Sequence, residues 1–235
     1  MTASLAILPA RGGSKRIPNK AIVPMEGRPM IGWPLEAARQ SGLFTKIHVT
    51  TDSDAIAKTV TGLGFPVDFM RAPEFADDIT PLRPVLSWVV REFLARGQSY
   101  DDVALIYPTA VLLAPDDLRK AYEIFRKHGA KDPVLAVTRY AMPIERSLEL
   151  DATGYLSPYM PDQLKQRTQD LPPKFHDTGT LAIFSAKELL DDPNRLVDLR
   201  FLAYPIPRQR GIDIDEPEDL DLARLLLRGK LAAGA

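Results

Sequence analysis

Short apolar runs alternate with longer segments of helical character along most of this 235-residue chain. Apolar runs of strand length lie at residues 5–8, 47–49, 67–70, 103–107, 134–137 and 181–184. Segments with apolar residues at helical spacing, or with helix-start and helix-stop residues at their ends, lie at residues 30–41, 53–60, 84–94, 115–128, 186–190 and 217–227. Strands that alternate with helices in this way favour a mostly parallel sheet that is covered on both faces. The pattern therefore predicts an α/β fold.

The alternation stops at about residues 141–175, where five prolines interrupt any helix. Within this stretch, two extended runs flank the turn-forming residues 151–154 and predict a β-hairpin. We interpret the chain as one domain, residues 1–235, that carries this stretch as an insertion. The insertion is expected to act as a lid or as an oligomerisation arm.

Charge and composition narrow the classes of function. The chain has 30 Lys and Arg against 31 Asp and Glu, so it lacks the basic excess that general nucleic-acid binding requires. It contains no cysteine, which excludes disulfides, thiolate metal sites and cysteine nucleophiles. No apolar run approaches the ~20 residues of a membrane span, and the N-terminal residues do not resemble a signal peptide. We therefore expect a cytoplasmic protein that binds neither nucleic acid nor a membrane.

A basic, glycine-containing loop at residues 9–20, PARGGSKRIPNK, directly follows the first predicted strand. Ligands of open α/β sheets bind outside the carboxyl ends of the strands, so this loop lies where a ligand is expected. Gly12 and Gly13 permit close backbone approach. Four cations stand within ten residues of the loop, namely Arg11, Lys15, Arg16 and Lys20. Exposed backbone N–H groups and mobile cations suit a polyphosphate, although the spacing alone fits a solvated basic loop equally well.

Two carboxylates, Asp213 and Asp215, stand two positions apart near the end of the chain, with Ile212 and Ile214 between and beside them. In an extended segment alternate residues share a face, so both carboxylates point one way. Such a pair suits Mg²⁺, which takes one or two carboxylates and completes its shell with water and substrate phosphate. The alternative for Asp215 is that it caps the last helix. Capping is not available to Asp213, which favours a functional role for that residue.

Further polar residues lie in less specific patterns. The stretch RTQDLPPKFHDTG gathers Arg167, Gln169 and Asp177, which are groups that can bind carboxylates and sugar hydroxyls. Arg71 and Thr80 follow the third predicted strand, and Thr109 follows the fourth, again at carboxyl ends. By spacing alone, the loop that contains Arg71 and Thr80 is better explained as an ordinary polar loop.

The motifs LAILPARGGSKRIPNK, TTDSDAIA, FMRAPEFADDIT and IDIDEPEDL occur in this order and span nearly the whole chain. Together they make the sequence resemble the CMP-sialic acid synthetases, the cytidylyltransferases that activate acidic sugars. Within that family, QRTQDL followed by FHDTG is most similar to the branch that acts on pseudaminic acid, a nine-carbon diamino sugar acid. The resemblance implies a Rossmann-like α/β domain with a protruding dimerisation segment, and therefore a homodimer. It also implies Mg²⁺-dependent transfer of CMP from CTP to the anomeric hydroxyl of the sugar acid, with release of pyrophosphate.

The resemblance also assigns roles to individual residues. It implies that the catalytic residues are Arg11, Lys20, Asp213 and Asp215, and that the two aspartates hold Mg²⁺. The CTP site it implies consists of Arg11, Gly12, Gly13, Ser14, Lys20, Arg71 and Thr80. The residues it implies for the sugar acid are Thr109, Arg167, Gln169 and Asp177. The chain departs from the usual family pattern at Ala21, Tyr107 and Thr180.

Three alternatives stay open from the sequence. A synthetase for N-acetylneuraminic or legionaminic acid would use the same chemistry on a different sugar acid. Activation of an eight-carbon ulosonic acid is disfavoured because the basic loop carries GGSK. In a different class, a nucleotide-sugar-binding module without catalysis would account for the three departures, but such a module has no need of the acidic pair.

Overall fold

A computed structural model of the chain describes residues 2–77, 79–195 and 200–234, so Asp78 of the FMRAPEFADDIT motif lies outside the described residues. The strands are β1 (Ser4–Pro9), β2 (Pro24–Met25), β3 (Arg28–Pro29), β4 (Lys46–Thr50), β5 (Asp102–Ile106), β6 (Val134–Arg139), β7 (Leu148–Leu150), β8 (Leu156–Pro158), β9 (Phe175–Ser185) and β10 (Leu202–Pro205). The α-helices are α1 (Gly32–Ser41), α2 (Asp54–Gly62), α3 (Leu82–Ala95), α4 (Pro115–Lys127), α5 (Ala186–Asp191) and α6 (Pro217–Ala232).

The central sheet contains six of these strands in the order β10-β6-β9-β5-β1-β4. β1 pairs in parallel with β4 and β5, and β10 pairs in parallel with β6. β9 is antiparallel to both of its neighbours, β5 and β6. The predicted α/β fold with a mostly parallel sheet is therefore confirmed, with one reversed strand inserted in its middle.

Both faces of the sheet are covered, which explains why β1, β5 and β6 are apolar at most of their positions. In β1, Ala6 and Leu8 pack on the face that α1, α2 and α4 cover. Leu5 and Ile7 point to the opposite face, which α3 and α5 cover. A third cluster joins α6 to the basic loop, because Ile17 of the loop packs with Ile214 and Leu220.

The predictions for single elements were wrong in three places. Residues 67–70 do not form a strand, because Pro66 lacks an N–H and, among the described residues, the segment makes no backbone ladder with β4: the backbone bond nearby runs from Arg71 N–H to Thr51 O (2.7 Å), just past the end of β4. β10 was not predicted, since its four residues lie between polar, proline-containing segments. β9 begins at Phe175 rather than at residue 181. Its first half is polar and contains Gly179, so it read as loop, yet it pairs with β6 across a β-bulge.

The predicted hairpin is confirmed as β7 and β8, which pair Leu148 with Pro158 and Leu150 with Leu156 outside the central sheet. Its apolar side chains are largely exposed, with Leu150 69% and Tyr155 76% accessible. A short hairpin with apolar residues in water is marginal on its own. Its part in dimerisation or sugar binding stays a prediction.

A buried histidine fastens the segment that leads to Arg71. His48 of β4 is fully buried, and its Nδ1 lies 3.2 Å from Oδ2 of Asp68. Its ring packs on Phe69, with the ring centroids 4.5 Å apart. Burial lowers the pKa of His48, an effect that the neighbouring carboxylate of Asp68 only partly offsets. The neutral imidazole therefore belongs to the folded state.

We predict that this histidine makes the protein less stable in mild acid. In the unfolded chain a histidine binds a proton at about pH 6.5, whereas in the folded state His48 resists protonation to a lower pH. The unfolded state then binds more protons, so the free energy of unfolding falls as the pH drops below about 6.5. Urea denaturation between pH 7.5 and 5.5 measures this slope. His48→Gln should flatten it, while His128→Gln at an exposed position should leave it unchanged, and equal slopes in all three proteins would refute the assignment.

Candidate active site

A cleft of about 590 Å³ opens at the carboxyl ends of β1 and β5. The first and last thirds of the chain both contribute to its walls. The lining residues are Pro9, Ala10, Arg11, Ser14, Lys15, Arg16, Lys20, Ala21, Arg71, Leu82, Tyr107, Pro108, Thr109, Asp213 and Asp215. The structure therefore brings the basic loop and the acidic pair to one cavity.

Direct contacts join the two motifs. Lys20 Nζ lies 3.0 Å from Oδ1 of Asp215 and donates to the carbonyl of Ile214 at 2.7 Å. Arg16 bridges Asp215 and Glu216, at 3.0 and 2.9 Å. Lys20 and Arg16 are therefore paired with carboxylates of the chain itself. An incoming anion must compete for them.

The acidic segment, residues 211–215, is oriented by the buried side chain of Ile214. Ile214 is fully buried in the third cluster, while Asp213 and Asp215 on either side of it face the cleft. This is the alternation that the sequence predicts. The structure does not use Asp215 as the cap of α6, because Glu216 occupies the N-cap position and the Asp215 carboxylate pairs with Lys20 and Arg16. The backbone N–H groups of Asp215 and Glu216 donate to Oδ2 of Asp219, at 3.0 and 2.8 Å.

The two carboxylates of the pair differ in their electrostatics. Asp213 is exposed to the cleft, but the surrounding protein removes part of its solvation, and this desolvation, followed by the negative charge of Asp215, raises its pKa. Burial would also raise the pKa of Asp215, but hydrogen bonding and charge from Lys20 and then Arg16 outweigh it, so that pKa is lowered. In the described ranges no cation lies within ion-pairing distance of Asp213. A cation placed beside Asp213 would relieve this repulsion.

Two glycines let β9 and the acidic segment touch. Gly179 adopts φ +57°, and a Cβ at this position would lie 2.7 Å from Cγ of Asp213. Its N–H donates to Oδ1 of Asp177 at 2.9 Å, which stabilises the bulge. A Cβ at Gly211 would lie 2.6 Å from Cγ2 of Thr178. Residues with side chains would push Asp213 away from β9 at both places. The glycines of FHDTG and GIDID were the available signal for this contact.

Arg71 supplies a buried positive charge to the wall of the cleft. Its side chain donates to the carbonyl and hydroxyl of Thr50, at 2.7 and 3.3 Å. Burial lowers its pKa to about 10, so it stays cationic at neutral pH. Among the described residues no carboxylate lies within ion-pairing distance of its guanidinium. An anionic ligand in the cleft would give the Arg71 guanidinium a partner of opposite charge.

The glycines of the basic loop are held by a residue that the sequence analysis missed. Oδ1 of Asp52 accepts the N–H of Gly12 at 2.8 Å. A Cβ on Gly12 would lie 3.0 Å from that of Ser53, whereas Gly13 has open space around it. Arg11 donates to the carbonyl of Asp77 at 3.2 Å and reaches into the cleft. The signal for Asp52 is in the motif TTDSDAIA, where the pattern assigns Asp52 only to the end of the second predicted strand.

Six of the expected site residues do not line the cleft, namely Gly12, Gly13, Thr80, Arg167, Gln169 and Asp177. Thr80 lies outside it and donates its N–H to Oδ1 of Asp77 at 2.6 Å. Arg167 and Gln169 are exposed on the insertion, where Arg167 pairs with Asp170 at 2.8 Å. Asp177 also lies outside, although its charge contributes to the raised pKa of Asp213. The structure thus brings together the residues expected for the nucleotide more completely than those expected for the sugar acid.

Thr109 is buried at the cleft, next to Tyr107. Burial, followed by the charges of Asp177 and Asp213, raises the pKa of the Tyr107 hydroxyl, so this group is a neutral hydrogen-bond donor. In the sequence, Tyr107 stands out only as a departure from the family pattern.

No group of three or more metal-ligating side chains is found in the part of the chain that the structure describes. In that same part, no helix is both long and apolar enough to cross a bilayer.

Comparison with known proteins agrees with this geometry. A family model described as cytidylyltransferase matches residues 5–193. A pseudaminic acid cytidylyltransferase of Campylobacter jejuni is 32% identical over 225 residues, which are 96% of each chain. A CMP-N,N'-diacetyllegionaminic acid synthase of Legionella pneumophila is 28% identical over 95% of each chain.

A solved structure of CMP:2-keto-3-deoxy-manno-octonic acid synthetase complexed with CTP superimposes with a TM-score of 0.70. It covers 97% of this chain and 100% of its own, at 17% identity, and so supports the Rossmann-like fold alone. The family expected from the motifs is confirmed by the match over most of the chain. This chain belongs to the cytidylyltransferases, within the CMP-sialic acid synthetase family.

Proposed function

We propose that this enzyme transfers CMP from CTP to the anomeric hydroxyl of a pseudaminic-type, nine-carbon sugar acid and releases pyrophosphate. The observation that carries the proposal is the meeting of the basic loop and the acidic pair in one cleft, joined by the contact between Lys20 and Asp215. A triphosphate and a divalent cation need cations and carboxylates side by side. The family match and the Campylobacter relative support the same reaction.

The basic loop would hold the triphosphate. Arg11 and Lys20 would bind phosphate oxygens, with help from the N–H groups of Gly13 and Ser14, which suit an anion. Gly12, whose own N–H donates to Asp52, would let the phosphates approach the loop closely because it has no side chain. Lys20 would leave Asp215 when phosphate arrives, because a multiply charged phosphate attracts an ammonium group more strongly than one carboxylate does. The leaving pyrophosphate would then develop its charge next to fixed cations. Arg71 would hold the nucleoside part, and Thr80 would assist it from the adjoining loop.

We propose Mg²⁺ as the divalent cofactor, with Asp213 and Asp215 as its protein ligands. The raised pKa of Asp213 and the absence of an ion-pair partner among the described residues fit a carboxylate that awaits a cation. Bound Mg²⁺ supplies neutralisation of phosphate charge and polarisation of oxygen ligands. The acid pair contributes two of the oxygen donors that this hard cation prefers.

The chain itself would act mainly by positioning. The anomeric hydroxyl must lie in line with the α-phosphorus of CTP and the departing pyrophosphate oxygen. Thr109 and Asp177 would orient the sugar acid at the end of β5 and beside Asp213. The bond from the anomeric oxygen to phosphorus forms as the bond to pyrophosphate breaks, and the hydroxyl proton leaves to a carboxylate or to solvent. Such positioning accounts for large rate enhancements without a covalent intermediate.

We also propose that the enzyme is a homodimer whose insertion completes the sugar-acid site. Arg167 and Gln169 do not line the cleft of their own chain, and Leu148, Leu150 and Leu156 are exposed on the adjacent hairpin. A second copy that covers these side chains would bury apolar surface and carry the two polar residues toward a sugar acid. The enzyme would act in the cytoplasm, where CTP is available.

The reaction is tested by a panel of sugar acids assayed for pyrophosphate release with CTP and Mg²⁺. We expect turnover with pseudaminic acid and less with legionaminic, N-acetylneuraminic and eight-carbon ulosonic acids. Asp213→Ala should lower kcat by at least about 100-fold, the scale of losing one fixed electrostatic group in a site. Asp221→Ala on the exposed side of α6 is the matched control and should keep normal turnover.

The panel also separates the alternatives. Turnover confined to legionaminic or N-acetylneuraminic acid would reassign the substrate within the family. No turnover with any sugar acid, while CTP still binds, would show a nucleotide-sugar-binding module and refute the proposed reaction.

Gly179→Ala should lower kcat by about 100-fold while the fold is retained. The added Cβ forces Asp213 out of its place, and a displacement of ~1 Å at a reacting centre can cost two orders of magnitude. Gly229→Ala in α6, where a Cβ meets nothing within 4 Å, is the control. Steady-state kinetics and circular dichroism measure the two effects. Unchanged kcat in Gly179→Ala would mean that the position of Asp213 is unimportant.

The double variant Leu150→Asp/Leu156→Asp should be monomeric in sedimentation-velocity experiments, whereas the wild type sediments as a dimer. Charged side chains on this exposed apolar hairpin cannot be buried against a second copy without a large penalty. The KM for the sugar acid should rise about tenfold, and the KM for CTP should stay unchanged. Leu222→Asp, at an exposed position of α6, is expected to leave the dimer intact. A dimeric double variant would place the interface elsewhere.

A further inference from the structure

We propose that Asp117 and Arg210, which lie outside the cleft, are positioning residues that hold the acidic segment in place and thereby set its affinity for a divalent cation. The inference rests on the proposed function, because Asp213 is taken there as a metal ligand. Neither residue lines the cleft, and neither belongs to one of the four sequence motifs that identify the family. They act on the site through the loop that connects β10 to α6.

Asp117 is a buried junction of three parts of the fold. It is the third residue of α4 and is only 2% exposed. Its Oδ2 accepts the N–H of Ala114 at 2.8 Å, and its Oδ1 accepts the hydroxyl of Tyr204 in β10 at 2.6 Å. The guanidinium of Arg210 forms an ion pair with the same carboxylate. One carboxylate thus ties the start of α4 to β10 and to the loop that follows it.

The loop needs such an anchor because no sheet ladder holds it. Residues 206–215 follow β10 without helix or strand structure. Ile206 N–H still bonds to Val137 O at 2.8 Å, after which Arg210 N–H bonds only within the loop, to Pro207 O at 2.8 Å. Asp213 comes three residues after Arg210. A shift of Arg210 would therefore pass directly to Asp213 through a short stretch of chain.

The acidic segment is fixed at both of its ends by a carboxylate. Asp219 holds its downstream end by accepting the N–H groups of Asp215 and Glu216. Asp117 holds its upstream end through Arg210. Between these anchors, Gly211 seats the chain so closely on Thr178 that a Cβ would collide. Asp213 is consequently presented at a defined distance from β9, which is what a preorganised cation ligand requires.

The ion pair is suited to this task because the carboxylate is buried and the arginine is not. A buried carboxylate without a cation is costly, so Asp117 strongly favours a nearby positive charge. Lys230 stands close enough that the charge of Arg210 helps to lower its pKa, after the larger effect of burial. When Arg210 is removed, Lys230 can still compensate Asp117. The fold should therefore survive, while the loop loses its tether.

The test compares Arg210→Gln with Arg210→Lys and with Arg119→Gln. Arg119 lies on α4 as well, where it pairs with Asp116 and donates to the carbonyls of Ser41 and Gln40, at 3.1 and 2.8 Å. It ties α4 to α1 and does not touch the loop, so it matches the structural loss without the proposed tether. The readout is the dissociation constant of Mn²⁺ in the presence of CTP, measured by electron paramagnetic resonance of free Mn²⁺, together with the thermal midpoint.

We expect Arg210→Gln to weaken Mn²⁺ binding about tenfold, the lower end of what residues behind metal ligands contribute. Arg210→Lys should restore most of the affinity, since it keeps the charge beside Asp117. Arg119→Gln should lower the thermal midpoint without changing the dissociation constant. Asp117→Asn should give the same weakening as Arg210→Gln, and the double variant should be no weaker than either single variant, because both remove one contact.

A dissociation constant in Arg210→Gln and Asp117→Asn within twofold of the wild type would overturn the inference and leave the proposed reaction standing. If the wild type itself binds no Mn²⁺ with CTP, or if Asp213→Asn binds it normally, the metal assignment of the proposed function fails and this inference fails with it.

Discussion

The site depends on one electrostatic arrangement: cations from the start of the chain face carboxylates from its end across a single cleft. The contact of Lys20 with Asp215 spans 195 positions of sequence. Like charges repel each other within the basic loop and within the acidic pair: four cations lie close together in the loop, and the charge of Asp215 helps to raise the pKa of Asp213. Each set of charges therefore stabilises the other. The cleft therefore holds charges of both signs: Lys20 and Asp215 are paired with each other, whereas Asp213 has no ion-pair partner among the described residues. Binding of an anion and a cation together would satisfy both sides.

The fold explains why the two ends meet. β1 is the second strand from one edge of the sheet, between β4 and β5, so the loop after it opens beside the carboxyl ends of both neighbours. β9 runs against its neighbours, and its bulge at Gly179 leaves room for Asp213 beside the same edge. The shared apolar cluster of Ile17 and Ile214 then fixes the loop and the acidic segment relative to each other. Apolar packing thus sets the distance between the basic loop and the acidic segment, and the charges on both determine which ligands can bind between them.

The sequence predicts those parts of the structure that are determined locally. Periodicity identified the buried strands and the longer helices, because these segments are apolar in a regular pattern over many residues. The alternation of polar and apolar residues correctly predicted that Asp213 and Asp215 share one face of their segment and that Ile214 lies on the other face. Periodicity failed at residues 67–70 and at β10, because contacts with β4 and pairing with β6, both distant in sequence, decide the conformation there. Asp52, Asp117 and Gly179 were missed as site residues for the same reason: each acts on a partner that is remote in sequence. Arg167 and Gln169 could be chosen by type, yet nothing local tells which cleft they serve.

The most direct measurement of the central claim is a crystal structure of the enzyme with Mn²⁺ and a CTP analogue that cannot release pyrophosphate. We expect a manganese anomalous peak between Asp213 and the phosphates, with Arg11 and Lys20 on the phosphate oxygens and Lys20 released from Asp215. A nucleotide bound outside this cleft, or a manganese peak remote from both aspartates, would contradict it.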